Sequence, residues 1–307
     1  MMKFLILGGN GFIGSHLVDR LLAAGHKVRV FDKYEEHYRK PIAGVDYRFG
    51  DFGNRGLLAD ALVGVNTVFH LISTTLPKTS NDDPAFDIQS NVVETIFLLE
   101  QCIVRNIKVI FVSSGGTVYG KPLTLPIAEN SPTDPECSYG ITKLMIEKYL
   151  ALFKLLHNLD YTIVRPSNPY GSRQNPNGIQ GAISVFLGKV ARNEPIEIWG
   201  DGEVVRDYVY IEDLAEGIYR AATKPTESRI FNLGSGTGYS LNEIVETIRT
   251  VTGREVQVEY KPKRTFDVPR IYLDIARART ELDWAPVVSL PAGIAKTWEF
   301  VMGLQVI

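Results

Sequence analysis

The chain alternates short, mainly apolar, strand-like runs with longer stretches whose apolar residues recur every three or four positions. The runs are FLIL (4–7), KVRVF (27–31), TVFHLI (67–72), VIFVSS (109–114) and YTIVRP (161–166). Residues 12–24, 55–63, 86–105 and 139–157 between them carry the helical period. Apolar runs that do not alternate, separated by helices, predict strands buried on both faces: a doubly wound parallel α/β sheet. Gly25, after LLAA, is placed to stop the first helix as the second strand begins.

Beyond Pro166 the pattern changes. Residues 167–181, SNPYGSRQNPNGIQG, read as loop. A helix is predicted over about 181–192, a strand at IEIW (196–199) and a turn at GDG (200–202). SLNE (240–243) is a capping box, with Ser240 as N-cap and Glu243 three residues on. The expected division is a sheet domain over 1–166, to which the chain returns around 205–236, and a smaller mixed α/β lobe over 167–307.

With 307 residues, 45% of them apolar, the chain has ample core for this arrangement. A formal charge of −2 argues against a nucleic-acid footprint. Cys102 and Cys137 lie in no CxxC pair, so neither a disulfide framework nor structural zinc is expected, and a reducing compartment fits. The apolar run at the N-terminus is too short for a signal-peptide core, and no run of about 18 apolar residues occurs. A soluble cytoplasmic protein is expected. His16, His26, His37, His70 and His157 are not spaced as metal ligands, and His70 reads as a packed residue rather than a base.

Gly8, Gly11 and Gly14 sit in LGGNGFIGSHL, between the first strand and the first helix. Glycines there allow a sharp turn and let a pyrophosphate approach the helix N-terminus. Asp32 ends the second strand about 20 residues on, where a carboxylate accepts hydrogen bonds from a ribose 2′-OH and repels a 2′-phosphate. The combination predicts dinucleotide binding, with NAD favoured over NADP; Lys33 beside the acid works against that preference. In SYGITK, Tyr139 and Lys143 are helical neighbours four residues apart.

With these elements placed, the chain resembles the extended short-chain dehydrogenase/reductase family, in its NAD-dependent sugar-nucleotide epimerase/dehydratase branch, the group like UDP-glucose 4-epimerase. The resemblance spans nearly the whole length. It rests on GGNGFIGSHL, GDF (50–52), FHLIS (69–73), SNVVETIFLLE (90–100), VSSGGTVYG (112–120), YGITK (139–143), RPSNPYG (165–171), GDGEVVRDYVYIEDLA (200–215) and RTFDVPRIYLD (264–274), in that order. It implies a Rossmann-type domain with NAD as cofactor, a UDP-sugar as substrate, and a homodimer formed by helices near 86–105 and 139–157. It also implies a place in polysaccharide biosynthesis.

Residue by residue, the resemblance implies that Phe12 and Ile13 join the glycines, and Leu71, Ser73 and Pro166 the sheet edge, in lining the cofactor. Asp51 and Phe52 would flank the adenine. Tyr139 and Lys143 match the YxxxK catalytic pair. Asn168 matches a substrate contact, Arg206 and Arg264 match arginines on the nucleotide diphosphate, and Trp199 falls where residues pack on the base. Ile271 falls where the room for the sugar's C2 substituent is set, and leaves hexoses and N-acetylhexosamines both open.

A phenol with a reference pKa of about 10 is a poor base at neutral pH. The Lys143 ammonium and a nicotinamide cation are expected to lower it, so that Tyr139 removes a sugar hydroxyl proton while NAD takes hydride from the same carbon. Dehydratases and decarboxylases of the branch carry acids before the VYG tyrosine, where this chain has Gly116 and Thr117. Epimerisation at C4 of a UDP-hexose or UDP-N-acetylhexosamine is the implied reaction. A dehydratase or reductase, or a non-catalytic NAD sensor, is the alternative. The usual third catalytic hydroxyl of the family falls on Gly115, so it is either missing or supplied by a neighbour, Ser114 first and Thr117 second.

Overall fold

The computed structural model describes residues 2–262 and 268–304. In chain order the main strands and helices open with β1 (Lys3–Leu7), α1 (Phe12–Ala23), β2 (Lys27–Asp32), β3 (Asp46–Phe49), α2 (Arg55–Ala61) and β4 (Thr67–His70). Next come α3 (Pro84–Asp87), a π-helical turn over Ile88–Val93, α4 (Glu94–Arg105), β5 (Lys108–Val112), α5 (Ser138–His157) and β6 (Tyr161–Pro166). The second half holds β7 (Asn168–Tyr170), α6 (Ala182–Ala191), β8 (Ile196–Trp199), β9 (Val205–Tyr210), α7 (Ile211–Thr223) and β10 (Ile230–Leu233). The last elements are β11 (Gly238–Ser240), α8 (Leu241–Thr252), β12 (Val258–Lys261), β13 (Arg270–Ile271), α9 (Ala276–Glu281) and α10 (Leu290–Leu304).

Seven parallel strands form one sheet in the order β10-β6-β5-β4-β1-β2-β3. The order reverses between β1 and β4, and the crevice above a reversal of this kind is where ligands bind in doubly wound sheets. The apolar runs account for the two-sided burial: Phe4, Leu5, Ile6 and Leu7 are all fully buried, as are Val68, Phe69, Val109, Ile110 and Phe111. Helix ends follow local chemistry. Asn106 and Asn158 close α4 and α5 in the left-handed conformation, and Gly25 (φ +74°) follows α1. The capping box is formed in full, Ser240 Oγ accepting from Glu243 N and Glu243 Oε2 from Ser240 N.

The smaller lobe is built on β9, which pairs with β11, β13 and β7, while β8 and β12 make a separate parallel pair. Three elements differ from the sequence expectation. Strand β3, unforeseen, is an edge strand of charged and half-exposed residues, DYRF, with no apolar run to mark it. The segment from 205 divides: β9 joins the lobe sheet, and only α7 and β10 lie with the main sheet. The helix expected over 86–105 is interrupted by the π turn. There Ser90 Oγ bonds to Phe86 O (2.6 Å) and Asn91 Nδ2 to Asp87 O (3.1 Å), side chains that compete for helical carbonyls.

Candidate functional site

The glycine turn is fixed by contacts that no side chain could share. A Cβ on Gly14 would lie 2.2 Å from Gly8 O, and Gly8 itself takes φ +83°. Gly11 is the N-cap of α1 and no side chain caps that helix. Its first N–H groups are therefore without a side-chain acceptor, and Gly8, Gly11, Phe12, Ile13 and Gly14 line a cavity of about 540 Å³. Asp32 supports the turn, Oδ2 accepting from Asn10 N (3.0 Å) and Oδ1 from Tyr34 N (3.2 Å). The Lys33 ammonium is committed to Asp51 (3.1 Å), not to Asp32. This cradle and carboxylate fit a dinucleotide diphosphate and ribose.

Asp51 and Phe52 follow β3 next to Asp32, where Gly50 N bonds to Asp32 O (2.9 Å). The Asp51 carboxylate also accepts from Gly53 N (2.9 Å), which with Lys33 holds its pKa down. The Phe52 ring is buried against His70 (centroids 5.1 Å apart) and belongs to the core. His70 pairs with Thr95 Oγ1 (2.8 Å), and burial pushes its pKa down to about 3.

Leu71, Ser73, Ser114, Thr117, Tyr139, Lys143, Pro166 and Asn168 line the same cavity. Lys143 is 5% exposed and its Nζ donates to Val112 O (3.0 Å), 5.6 Å from the Tyr139 ring centroid. Burial lowers the Lys143 pKa to about 8, against the opposing pull of Asp87 and Glu147. Burial pushes the Tyr139 phenol up to about 12, helped by Cys137 and Asp87, although the residue keeps part of its surface open. Lys143 by itself does not bring the phenol down: the two groups share a cavity wall without a hydrogen bond, and desolvation dominates, so the expected lowering also requires the nicotinamide cation.

Gly115 is closed to any side chain. A Cβ there would meet Leu273 Cδ1 at 2.6 Å and the carbonyl oxygens of Arg165 and Pro166 at 3.0 Å. Of its neighbours, Thr117 packs against Gly140, the residue after Tyr139, and its Oγ1 is buried without a hydrogen-bond partner among the described residues. Ser114 is half-buried on the cavity wall.

A second cavity of about 470 Å³ adjoins the first, sharing Asn168, Pro169, Gln180 and Gly181 with it. Trp199, Arg206, Phe186, Tyr208 and Lys189 line it. Asn168 is held by Asp207 O (2.9 Å), and Arg206 Nη1 donates to Val205 O (2.8 Å) and Val268 O (2.7 Å). Arg264 lies outside the described residues. Ile271 does not take its expected place. It is 5% exposed, packed with Val118, Tyr119, Ile127 and Leu273, and lines neither cavity, because the alternation of β13 turns it inward while Arg270 faces out.

Several groups near the site escaped the sequence reading. Glu147, Arg165, Ser113 and Tyr119 form a buried network below Lys143. Arg165 Nη2 meets Glu147 Oε2 at 2.5 Å, Ser113 Oγ donates to Glu147 Oε1 (2.5 Å), and Arg165 Nη1 to Tyr119 Oη (2.9 Å). The signal was present: Tyr139, Lys143 and Glu147 recur at i, i+4 and i+8, a polar stripe on a helix that must bury one face. Gln174 and Gln180 sit in the Asn/Gly/Pro-rich loop and carried no pattern. Among the described residues, no cluster of His, Cys, Asp or Glu could hold a metal ion.

Comparison with known proteins agrees with this geometry. The chain is 37% identical to a UDP-glucose 4-epimerase of Mycolicibacterium smegmatis, over 97% of this chain and 98% of that one. It is 34% identical to a dTDP-4-dehydro-6-deoxyglucose reductase of Escherichia coli, over 95% of each. The crystal structure of UDP-glucose 4-epimerase with UDP-glucose from Thermotoga maritima superposes with a TM-score of 0.94 at 34% identity, covering 99% of this chain and all of that one. With residues 4–234 matching its model, the chain belongs to the NAD dependent epimerase/dehydratase family.

Proposed function

We propose that the protein is an NAD-dependent nucleotide-sugar epimerase that inverts C4 of a UDP-hexose or UDP-N-acetylhexosamine. The observation that carries this reading is the joining of two cavities at Asn168. One is floored by the glycine turn and walled by Tyr139 and Lys143; the other is lined by Trp199, Phe186 and Arg206. A dinucleotide and a nucleotide sugar would meet there with the sugar at the phenol.

Bound NAD supplies a hydride acceptor that gives the hydride back, and in its oxidised form a positive charge. The glycine turn and Asp32 hold its diphosphate and adenosine ribose. Tyr139 Oη takes the proton of the C4 hydroxyl as the carbon is oxidised to a ketone, and returns it when the ketone is reduced on its other face. Lys143 stays charged below its pKa of about 8 and offsets the phenolate. Ser114, with Thr117 second, donates to the developing oxyanion. Trp199 packs on the base, and Arg206, with Arg264, binds the diphosphate. No acid occupies positions 116 and 117, so elimination has no driver there.

The reading includes a homodimer. Ile141, Leu152, Leu155 and Leu156 on α5 and Val104 on α4 are exposed apolar side chains on neighbouring helices. It places the protein in the cytoplasm: no described helix is long and apolar enough to cross a membrane. A role in polysaccharide biosynthesis would follow from the product.

The reductase relative favours one second reading, net reduction of a keto sugar. Incubation with a panel of UDP-sugars and NAD, and in parallel with a nucleotide keto sugar and NADH, decides between them. Interconversion of C4 epimers with no net NADH is expected; stoichiometric consumption of NADH with a keto sugar, and no inversion, would overturn it.

A further inference from the structure

Two acids lie near Lys143, and only one has a cation. Glu147 is paired with Arg165 in the buried network, whereas no Lys or Arg among the described residues is in ion-pair contact with Asp87. Asp87 is fully buried. Its Oδ1 accepts from Thr75 Oγ1 (2.6 Å) and Asn91 Nδ2 (2.8 Å), and its Oδ2 from Ser138 Oγ (2.7 Å) and Thr142 Oγ1 (3.5 Å). Thr75, Asn91 and Ser138 are donors, the arrangement a carboxylate requires, while the Thr142 proton is shared with Tyr139 O (2.9 Å). A lone buried charge is costly, and hydrogen bonds offset only part of that.

The partners show what Asp87 joins. Thr75 belongs to the loop after β4, whose Pro77 and Lys78 line the two cavities. Ser138 and Thr142 immediately precede Tyr139 and Lys143. The same loop caps α5, whose own N-cap Cys137 makes no side-chain cap: Asn81 Oδ1 accepts from Ser138 N (2.9 Å) and Ser80 Oγ from Tyr139 N (3.0 Å).

We propose that Asp87 is a positioning residue for the reaction, locking the first turn of α5 to the cavity loop and supplying the unneutralised negative charge that offsets the cation at Lys143. The inference rests on the reading of Tyr139 and Lys143 as the reacting pair. The titratable groups around that pair are Glu147 on α5, Cys137 before it, His70 on β4, Arg165 on β6 and Asp87. Glu147 adds to the pull on Lys143 but is itself paired with Arg165, whereas Asp87 has no cation, and His70 is neutral at working pH. Asp87 raises the proton affinity of both Tyr139 and Lys143, so its removal lowers both.

The test is Asp87→Asn, which keeps the shape and one acceptor oxygen but loses the charge. In the NAD-loaded protein, the ultraviolet titration of Tyr139, isolated by subtracting the Tyr139→Phe variant, should move to lower pH. Both limbs of the kcat profile should move the same way. Ser138→Ala, which keeps the charge, should lower kcat without moving the limbs. An unchanged Tyr139 titration in the folded Asn variant would overturn the electrostatic role. Should that variant not fold, full kcat in Ser138→Ala overturns the positioning role. The tyrosine titration needs no turnover, so failure to find an epimerisable sugar would sink the functional reading and leave this one decided separately.

Discussion

Tyr139 and Lys143 show how far a residue's chemistry depends on its surroundings. Burial drives the phenol up to about 12 and the ammonium down to about 8, each toward its neutral form. The charged lysine is present below pH about 8 and lost as pH rises through it, so turnover that needs the cation should fall on that side; a steady-state pH profile checks this. Tyr139→Phe should cut kcat by about 10²-fold or more, the scale of a lost acid–base group, with NAD still bound. Near-normal activity would rule the phenolate out. Asp32→Ala should erode discrimination against NADP and weaken NAD binding too, since Asp32 also holds Asn10 N; equal affinity of the unmodified protein for both dinucleotides would refute that account. Gly115→Ser, on sequence grounds a way to restore a hydroxyl, should instead cost about 1–3 kcal/mol in a denaturant melt, because its Cβ has no room against Leu273 and two carbonyls.

At the scale of elements, two helix caps make a controlled comparison. The α8 cap is local, from Ser240 and Glu243, and lies in the smaller lobe; Ser240→Ala should lose about 1 kcal/mol and leave kcat unchanged. The α5 cap comes from Ser80 and Asn81 in a distant loop. Asn81→Ala should lose a similar amount in the same melt and lower kcat as well, since the freed turn carries Tyr139. The local cap was legible because its two residues are three apart. The remote one was not, because nothing in residues 74–82 signals that their side chains meet a helix nearly sixty positions later. The π turn hid in the same way: its apolar period is helical, and only the hydrogen bonds of Ser90 and Asn91 reveal the slip.

For the whole molecule, the proposed dimer makes a direct claim about the α4–α5 face. Sedimentation should show two copies, and Leu155→Glu combined with Val104→Glu should give a folded monomer; a monomeric unmodified protein would end the claim. The sequence by itself determined the parallel sheet, the glycine turn, Asp32 and the Tyr139–Lys143 spacing, because each depends on residues close in the chain. Apolar runs bury strands, a Gly-rich turn needs no distant partner, and residues four apart share a helix face. Only the tertiary structure decided which polar groups are neutralised, where Ile271 and Phe52 point, and why position 115 admits no side chain. Those depend on Arg165 reaching Glu147, Leu273 reaching Gly115, and Asp87 reaching Ser138 across separations that no local pattern encodes, and burial then sets the charge each group can carry.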